Sequence, residues 1–215
     1  MAKKTQVPQN TVKSSIKSAS KGEETRAKIV AAAIELINEI GFEQLTYQKL
    51  ADRVGLTQPA LYTYFKQRMD ILHACSQAAA EHGRGIFLAQ IKERASAREK
   101  LKAYLLAHLL WVRKYRTYAY PIFAPYYFSA TEGSMLELFG QIQQASIHRI
   151  GDFLAAGQRE DLWKIKNAEA MSRSIHSLLI GETIKIFHAN EKEPLEELSA
   201  QLWNAVESMI KGNSV

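Results

Sequence analysis

The sequence predicts an all-α protein, on three observations. From Glu23 onward apolar residues recur every three or four positions, the spacing that lays one apolar stripe along a helix. Threonines stand where helix N-caps are wanted, and glycines where left-handed C-caps are wanted. Only 11 glycines and 5 prolines occur in 215 residues, so long helices can run with few breaks. With 47% apolar and 23% charged residues the chain can bury one substantial core, which excludes a disordered or fibrous protein. The longest apolar stretches, such as Ala103 to Val112 with His108 inside it, fall short of the roughly 20 residues that span a bilayer, so no membrane partner is expected. The N-terminus is basic and rich in Ser, Thr and Gln, without the apolar centre of a secretory signal. A single cysteine, Cys75, excludes an internal disulfide, and these features together predict a cytoplasmic protein.

The net charge of +6 is unevenly placed. Lys3, Lys4, Lys13, Lys17 and Lys21 all precede the first acid, Glu23, so the remainder of the chain is nearly neutral. Residues 1–22 therefore read as a flexible basic arm, either a polyanion-seeking segment or a solubilising tail. Helix one follows from about Glu23 to Ile40, with Ile29, Ala32, Ala33, Leu36, Ile37 and Ile40 on one stripe and Gly41 as its stop. Thr46 then caps a short helix, with Leu45 and Leu50 placed as a hydrophobic staple, and Gly55 ends it. The signature repeats at once: Thr57 caps, Leu56 and Leu61 staple, and Phe65 falls one turn beyond Leu61 on the buried side. Two short capped helices across a glycine turn, Thr46 to Phe65, have the form of a helix-turn-helix, and residues 23–70 are taken as one three-helix domain.

The outer face of the second short helix carries the chemistry. With Leu61 and Phe65 inward, Pro59, Ala60, Tyr62, Thr63 and Lys66 point outward, and none is acidic. Between Leu45 and Met69 four positive residues, Lys49, Arg53, Lys66 and Arg68, face one acid, Asp52. A helix that reads DNA needs that polarity, because phosphate repels carboxylates and base edges are read by short polar or methyl-bearing side chains.

The run from Thr25 to Leu72 resembles the DNA-binding domain of the tetracycline-repressor (TetR) family. Thr25, Arg26, Ile29, Ala32, Ala33, Leu36, Gly41, Phe42, Thr46, Leu50, Ala51, Gly55, Leu61, Tyr62 and Phe65 carry the resemblance, over about a quarter of the chain. Arg68 replaces a usual lysine, and Pro59 stands where many members carry glycine. The resemblance implies that Thr46, Tyr47 and Gln48 begin the supporting helix and that Thr57 through Tyr64 form the recognition helix. Gln48, Gln58, Ala60 and Thr63 are then candidates for base edges, glutamine pairing with adenine and the methyl groups meeting thymine. Thr46, Tyr62, Tyr64 and Lys66 are candidates for phosphates. Pro59 belongs to the same surface. Thr46 and Thr57 also serve as caps whether or not DNA is present, and Tyr64 has an alternative role packing against helix one.

Residues 71–215 read as an all-helical partner domain. A connector helix spans Arg68 to about Arg94, with a bend or break expected at Gly83 and Gly85. Further helices are expected over Ser96–Tyr115, Tyr118–Ser129 with a break around Pro121 and Pro125, Thr131–Ala156, Asn167–Ala189 and Pro194–Lys211. The last two carry rich apolar faces: Ala168, Met171, Ile175, Leu178, Leu179 and Ile184, then Leu195, Leu198, Leu202, Val206, Met209 and Ile210. These faces can close the monomer's core. The family resemblance implies instead a homodimer, the last two helices pairing with their symmetry mates in a four-helix bundle, with Ser174 and Gly181 permitting close approach.

Nine aromatic residues fall in the 25 positions from Tyr104 to Phe128, more than a packed core requires. Together with nearby polar groups they predict an effector pocket drawn from His108, Trp111, Tyr115, Phe123, Tyr127, His148 and His176, with Arg113 as the nearby fixed positive charge. No nucleophile elbow, zinc pair or glycine-rich phosphate loop occurs, so neither an enzyme, a cofactor nor a metal site is expected. The expectation is a homodimeric repressor on a palindromic double-stranded DNA operator, released by a small apolar or aromatic effector. The alternative is a DNA-binding protein of the same fold without a small-molecule effector, organising chromosomes or answering a protein partner.

Overall fold

Ser20 starts the first helix. Its Oγ accepts from the Glu23 backbone N–H at 3.2 Å while the Glu23 carboxylate accepts from the Ser20 N–H at 2.6 Å, a reciprocal cap that opens α1 at Lys21–Ile40. Lys21 and Gly22, expected in the basic arm, thus form the first helical turn. The computed structural model describes residues 20–92, 94–123, 133–188 and 194–212. The rest of the arm lies outside the described residues, among which nine helices and no strand occur.

The helix-turn-helix follows the caps read from the sequence. Thr46 Oγ1 accepts from Lys49 N–H at the start of α2, Tyr47–Val54, and Gly55 closes it at φ +70°, a left-handed conformation that suits glycine. Thr57 Oγ1 accepts from Ala60 N–H at the start of α3, Gln58–Tyr64, where Pro59 sits in a first turn that needs no N–H from it. Ile29, Ala33 and Ile37 of α1 bury against Phe42, Leu45, Leu50, Leu61 and Phe65. Ile71, Leu72 and Cys75 close the cluster from α4, Arg68–Ile91, so the connector helix is built into the small domain's core. The Cys75 thiol is pushed up to about 12 by burial, which leaves it an inert packing group.

The expected break at Gly83 and Gly85 does not occur, and α4 is continuous through both. Gly83 is buried where a Cβ would lie 3.2 Å from both the Phe87 ring and the Trp111 indole, so its missing side chain admits that indole. That packing offsets the roughly 1 kcal/mol per glycine that helix propensity costs. After α5, Ala97–Lys114, the next helix starts early, as α6 at Arg116–Phe123, and Pro121 stays inside it without the expected break. The Pro121 carbonyl accepts from Ser76 Oγ at 3.0 Å, which ties the short helix to α4. Pro125 lies outside the described residues.

The remaining helices are α7 at Gly133–Arg159, α8 at Ala168–His188 and α9 at Leu195–Gly212. Their apolar faces meet α5: Leu101, Leu105 and Leu109 bury with Ile150, Leu154, Ile175, Leu179, Leu202, Val206 and Ile210. Most of the apolar stripes of α8 and α9 are thereby consumed in the monomer's own core. Among what they present outward, Ser174, Ser177 and Gly181 on α8 and Ala205 and Ser208 on α9 are small, beside longer polar side chains such as Glu169, Arg173, Gln201 and Asn204.

Candidate nucleic-acid interface and ligand cavity

The outer surface of α2 and α3 is assembled by one stack. The rings of Tyr47 and Tyr62 lie 4.1 Å apart and 9° from parallel, and Tyr47 Oη donates to the Phe65 carbonyl at 3.0 Å. Tyr47 is half-buried by this arrangement, and burial raises its phenol pKa, so it remains an uncharged donor. Tyr62 stays 41% exposed and offers its edge and hydroxyl to whatever meets the surface. Gln58, Pro59 and Thr63 are exposed beside it, and Ala60 is half-buried. Thr63 Oγ1 donates to the Ala60 carbonyl at 2.7 Å, which engages its hydroxyl within the helix.

Charge on this surface is more selective than the residue tally suggested. Arg53 is held by Glu39 at 2.6 Å and Glu35 at 3.7 Å, and Arg68 lies over the Phe42 ring while donating to the Glu43 carbonyl. Arg53 thereby anchors α2 to α1, and Arg68 anchors the start of α4 to the loop that follows α1. Lys49 and Lys66 are both exposed, with Lys49 Nζ donating to the Gln44 carbonyl at 3.2 Å. Gln48 Nε2 donates to Asp52 Oδ1 at 2.8 Å, so its amide has to turn before it can meet a base. Thr46 and Thr57 spend their hydroxyls as caps, and Tyr64 packs half-buried on the α1 core, the alternative role read from the sequence.

A cavity of about 300 Å³ lies between α4 and α7, over a floor made by α5 and α8. His108, Trp111 and His176 line it together, as the sequence suggested. Tyr115 does not join them; its ring stands edge-on to His82, 4.8 Å away, outside the lining. His148 is also excluded. It lies on the exposed face of α7, its Nε2 3.8 Å from Asp152, because one helical residue turns the side chain about 100° away from Arg149. Arg113 is likewise not part of the lining. The Tyr127 position and the Phe123 side chain lie outside the described residues.

Side chains that sequence reasoning passed over complete the walls. Phe87 stacks on His108 at 5.3 Å and meets Tyr104 and Trp111 edge-on, and Arg149 enters from α7. Only the Gly83 to Phe87 spacing on one face of α4 hinted at the first, and nothing local marked the second. Burial, reinforced by the neighbouring His176, pulls the His108 imidazole down to about 3, and burial also lowers His176. Both rings are therefore neutral near pH 7, suited to exchanging hydrogen bonds with an uncharged group.

Residues 29–75 match the model of the family described as bacterial regulatory proteins, tetR family. The class C tetracycline repressor protein of Escherichia coli is 43% identical over 53 residues, 25% of this chain and 24% of that protein. This chain therefore spans about a quarter of that relative's length. At the level of the whole fold, the transcriptional regulator FadR from Bacillus subtilis, in complex with stearoyl-CoA, superposes with a TM-score of 0.72 at 21% identity over 84% of this chain and 96% of that one. A regulator from Saccharomonospora viridis, in complex with choline, gives 0.73 at 17% identity over 86% and 96%. At these identities the likeness is one of fold. No helix among the described residues is long and apolar enough to cross a membrane. Residues 29–75 thus carry a helix-turn-helix of the kind described for bacterial regulatory proteins of the tetR family, and most of the chain shares its fold with such regulators.

Proposed function

We propose that the protein is a homodimeric transcriptional repressor, working in the cytoplasm on a palindromic operator and released from it by a small effector in the α4/α7 cavity. The observation that carries this reading is the sharing of α4. Its first turns complete the core beneath the recognition helix, and its second half walls the cavity. A ligand that changes how α4 packs in the cavity changes the seat of the reading helix.

Thr46, Tyr47, Gln48, Thr57, Gln58, Pro59, Ala60, Tyr62, Thr63, Tyr64 and Lys66 supply the DNA surface, with Tyr62 and Lys66 at phosphates and Gln58, Ala60 and Thr63 at base edges. The dimer forms through the small-residue faces of α8 and α9, which let two helix pairs approach closely. Two recognition helices roughly 34 Å apart would then enter successive major grooves. The cavity takes an apolar or aromatic body against Phe87 and Trp111, and no catalytic step is assigned to it.

The test is selection of bound duplexes from a random pool, followed by anisotropy titration of the recovered site. A two-fold symmetric sequence bound by two chains supports the proposal. Recovery of no sequence preference overturns the repressor reading in favour of general chromosome binding.

A further inference from the structure

We propose that the effector is a small amphipathic organic anion, its acidic group held by Arg149 and its apolar body lying along α5 toward Trp111. This rests on the reading of the cavity as an effector site and adds the chemical class and the orientation of what enters it.

Three charged side chains line the cavity. Glu81 and Arg84 sit one turn apart on α4 and neutralise each other through a pair at 2.6 Å. Arg149 is different. It is half-buried and forms no ion pair with any carboxylate among the described residues, yet its charge is close enough to be felt by the Tyr104 phenol. Among the described residues the cavity therefore carries one positive charge without a carboxylate partner, inside a largely apolar and aromatic wall. A guanidinium half-removed from water favours an anionic partner, and carboxylate geometry matches its paired donors.

The helices place that charge at one end. Tyr104, His108 and Trp111 follow one another along α5, about 10 Å from first to last at the helical rise. At the Tyr104 end, its hydroxyl and that of Ser146 lie 2.9 Å apart, and Ser146 precedes Arg149 by one turn of α7. Here an acid finds a charge and two hydroxyls. At the other end Trp111, Ile122 and Ile142 offer apolar surface next to α6, and the Gln141 and Gln143 amides that also line the cavity bring no charge. Between them His108 and His176 are neutral near pH 7 and add no second positive charge. A volume of about 300 Å³ is at the low end of ligand sites and suits a medium-length chain or a single ring with its acid, rather than a nucleotide conjugate.

Isothermal titration of the full-length protein with sodium octanoate, octan-1-ol and octylamine separates charge from tail. Octanoate is expected to bind at least about ten-fold tighter than the alcohol, and the amine weakest, as for a charged hydrogen-bonded pair. Arg149→Gln should bring octanoate and octanol within about three-fold while octanol affinity stays put. Arg173→Gln, which removes the same charge from the outer face of α8, should leave the preference intact. Equal binding of acid and alcohol by the wild type overturns the assignment of an anion, and so does an Arg149→Gln protein that keeps the preference. The wild-type ratio alone decides if that variant fails to fold. If none of the three probes binds, the cavity is not an effector site and both readings fall together.

Discussion

The Nε1–H of Trp111 donates to Nδ1 of His82 at 2.9 Å, and the same imidazole lies stacked on the Tyr118 ring with centres 4.5 Å apart. Trp111 forms part of the cavity wall, whereas Tyr118 belongs to α6 and packs against the core shared by α1, α2 and α3. Beside it Thr117 Oγ1 accepts from Asn38 Nδ2 of α1 at 3.3 Å. A contiguous set of contacts thus runs from the cavity floor to the first helix of the small domain. Perturbing one link of this set tests whether it couples the cavity to α1.

Trp111→Phe removes the N–H while leaving an aromatic ring in the wall. We expect a loss of about 1 kcal/mol in stability, the usual worth of one hydrogen bond, and operator affinity within a few fold of wild type. The effector concentration needed for half-release of DNA should rise several-fold. Operator binding and release are read by anisotropy, with thermal unfolding measured on the same sample. Unchanged release in a folded variant would take the Trp111–His82 bond out of the coupling.

Lys66→Ala tests the phosphate surface. The lysine is exposed just past α3, while Arg53 and Arg68 are engaged elsewhere. Loss of one phosphate contact in each half-site should weaken binding to all duplexes alike and lower the slope of log K against log salt by about one to two. An unaltered slope would remove Lys66 from the contact set.

Two glycines of α7 predict opposite signs for one substitution. At Gly157 a Cβ would lie 2.0 Å from the Trp163 ring, which is pinned by its N–H to the Leu154 carbonyl at 2.8 Å. Gly157→Ala should cost about 1–3 kcal/mol through overpacking. At Gly140 a Cβ meets nothing within 4 Å, so Gly140→Ala should gain roughly 0.5–1 kcal/mol of helix propensity. Chemical denaturation of the two variants gives both signs, and equal effects would mean that the close approach to Trp163 does not govern the site.

The helix-turn-helix was legible because its determinants are local. Thr46, Thr57 and Gly55 act within one turn of where they stand in the chain, and Leu45 and Leu56 announce their own staples. The cavity was only half legible because its walls come together from four helices. His108 and His176 were found by residue type, but His148 and Arg149 are neighbours in sequence and differ only in which way α7 is rotated. No local pattern fixes that rotation; the packing of Ile150 and Leu154 against α5 does. The missed continuity of α4 at Gly83 has the same origin, since helix propensity there is overridden by the fit of Trp111 against a bare Cα.

Acid should destabilise the protein through its buried histidines before it reaches its carboxylates. His108 titrates ordinarily at 6.5 and is held down to about 3 in the fold by burial and the nearby His176, whose own value burial also lowers. Above pH 6.5 neither the folded nor the unfolded chain protonates His108, and its contribution is constant. Below that the unfolded chain takes up a proton that the folded one refuses, so stability falls as pH falls, by about 1.4 kcal/mol per unit for one such group. His176 adds in the same direction. The carboxyl groups of Glu23, Glu39, Glu99 and Glu207 are held below their ordinary 4.5 by hydrogen bonds to Ser20, Arg53, Ser96 and Arg98, so their loss belongs to more acidic solutions. Denaturant unfolding at pH 7.5 and 5.5 should therefore give a clear drop in the wild type. His108→Gln should flatten that drop by about 1.4 kcal/mol, whatever its absolute stability. A variant that loses as much stability as the wild type over the same interval would show that His108 is not the group that refuses the proton.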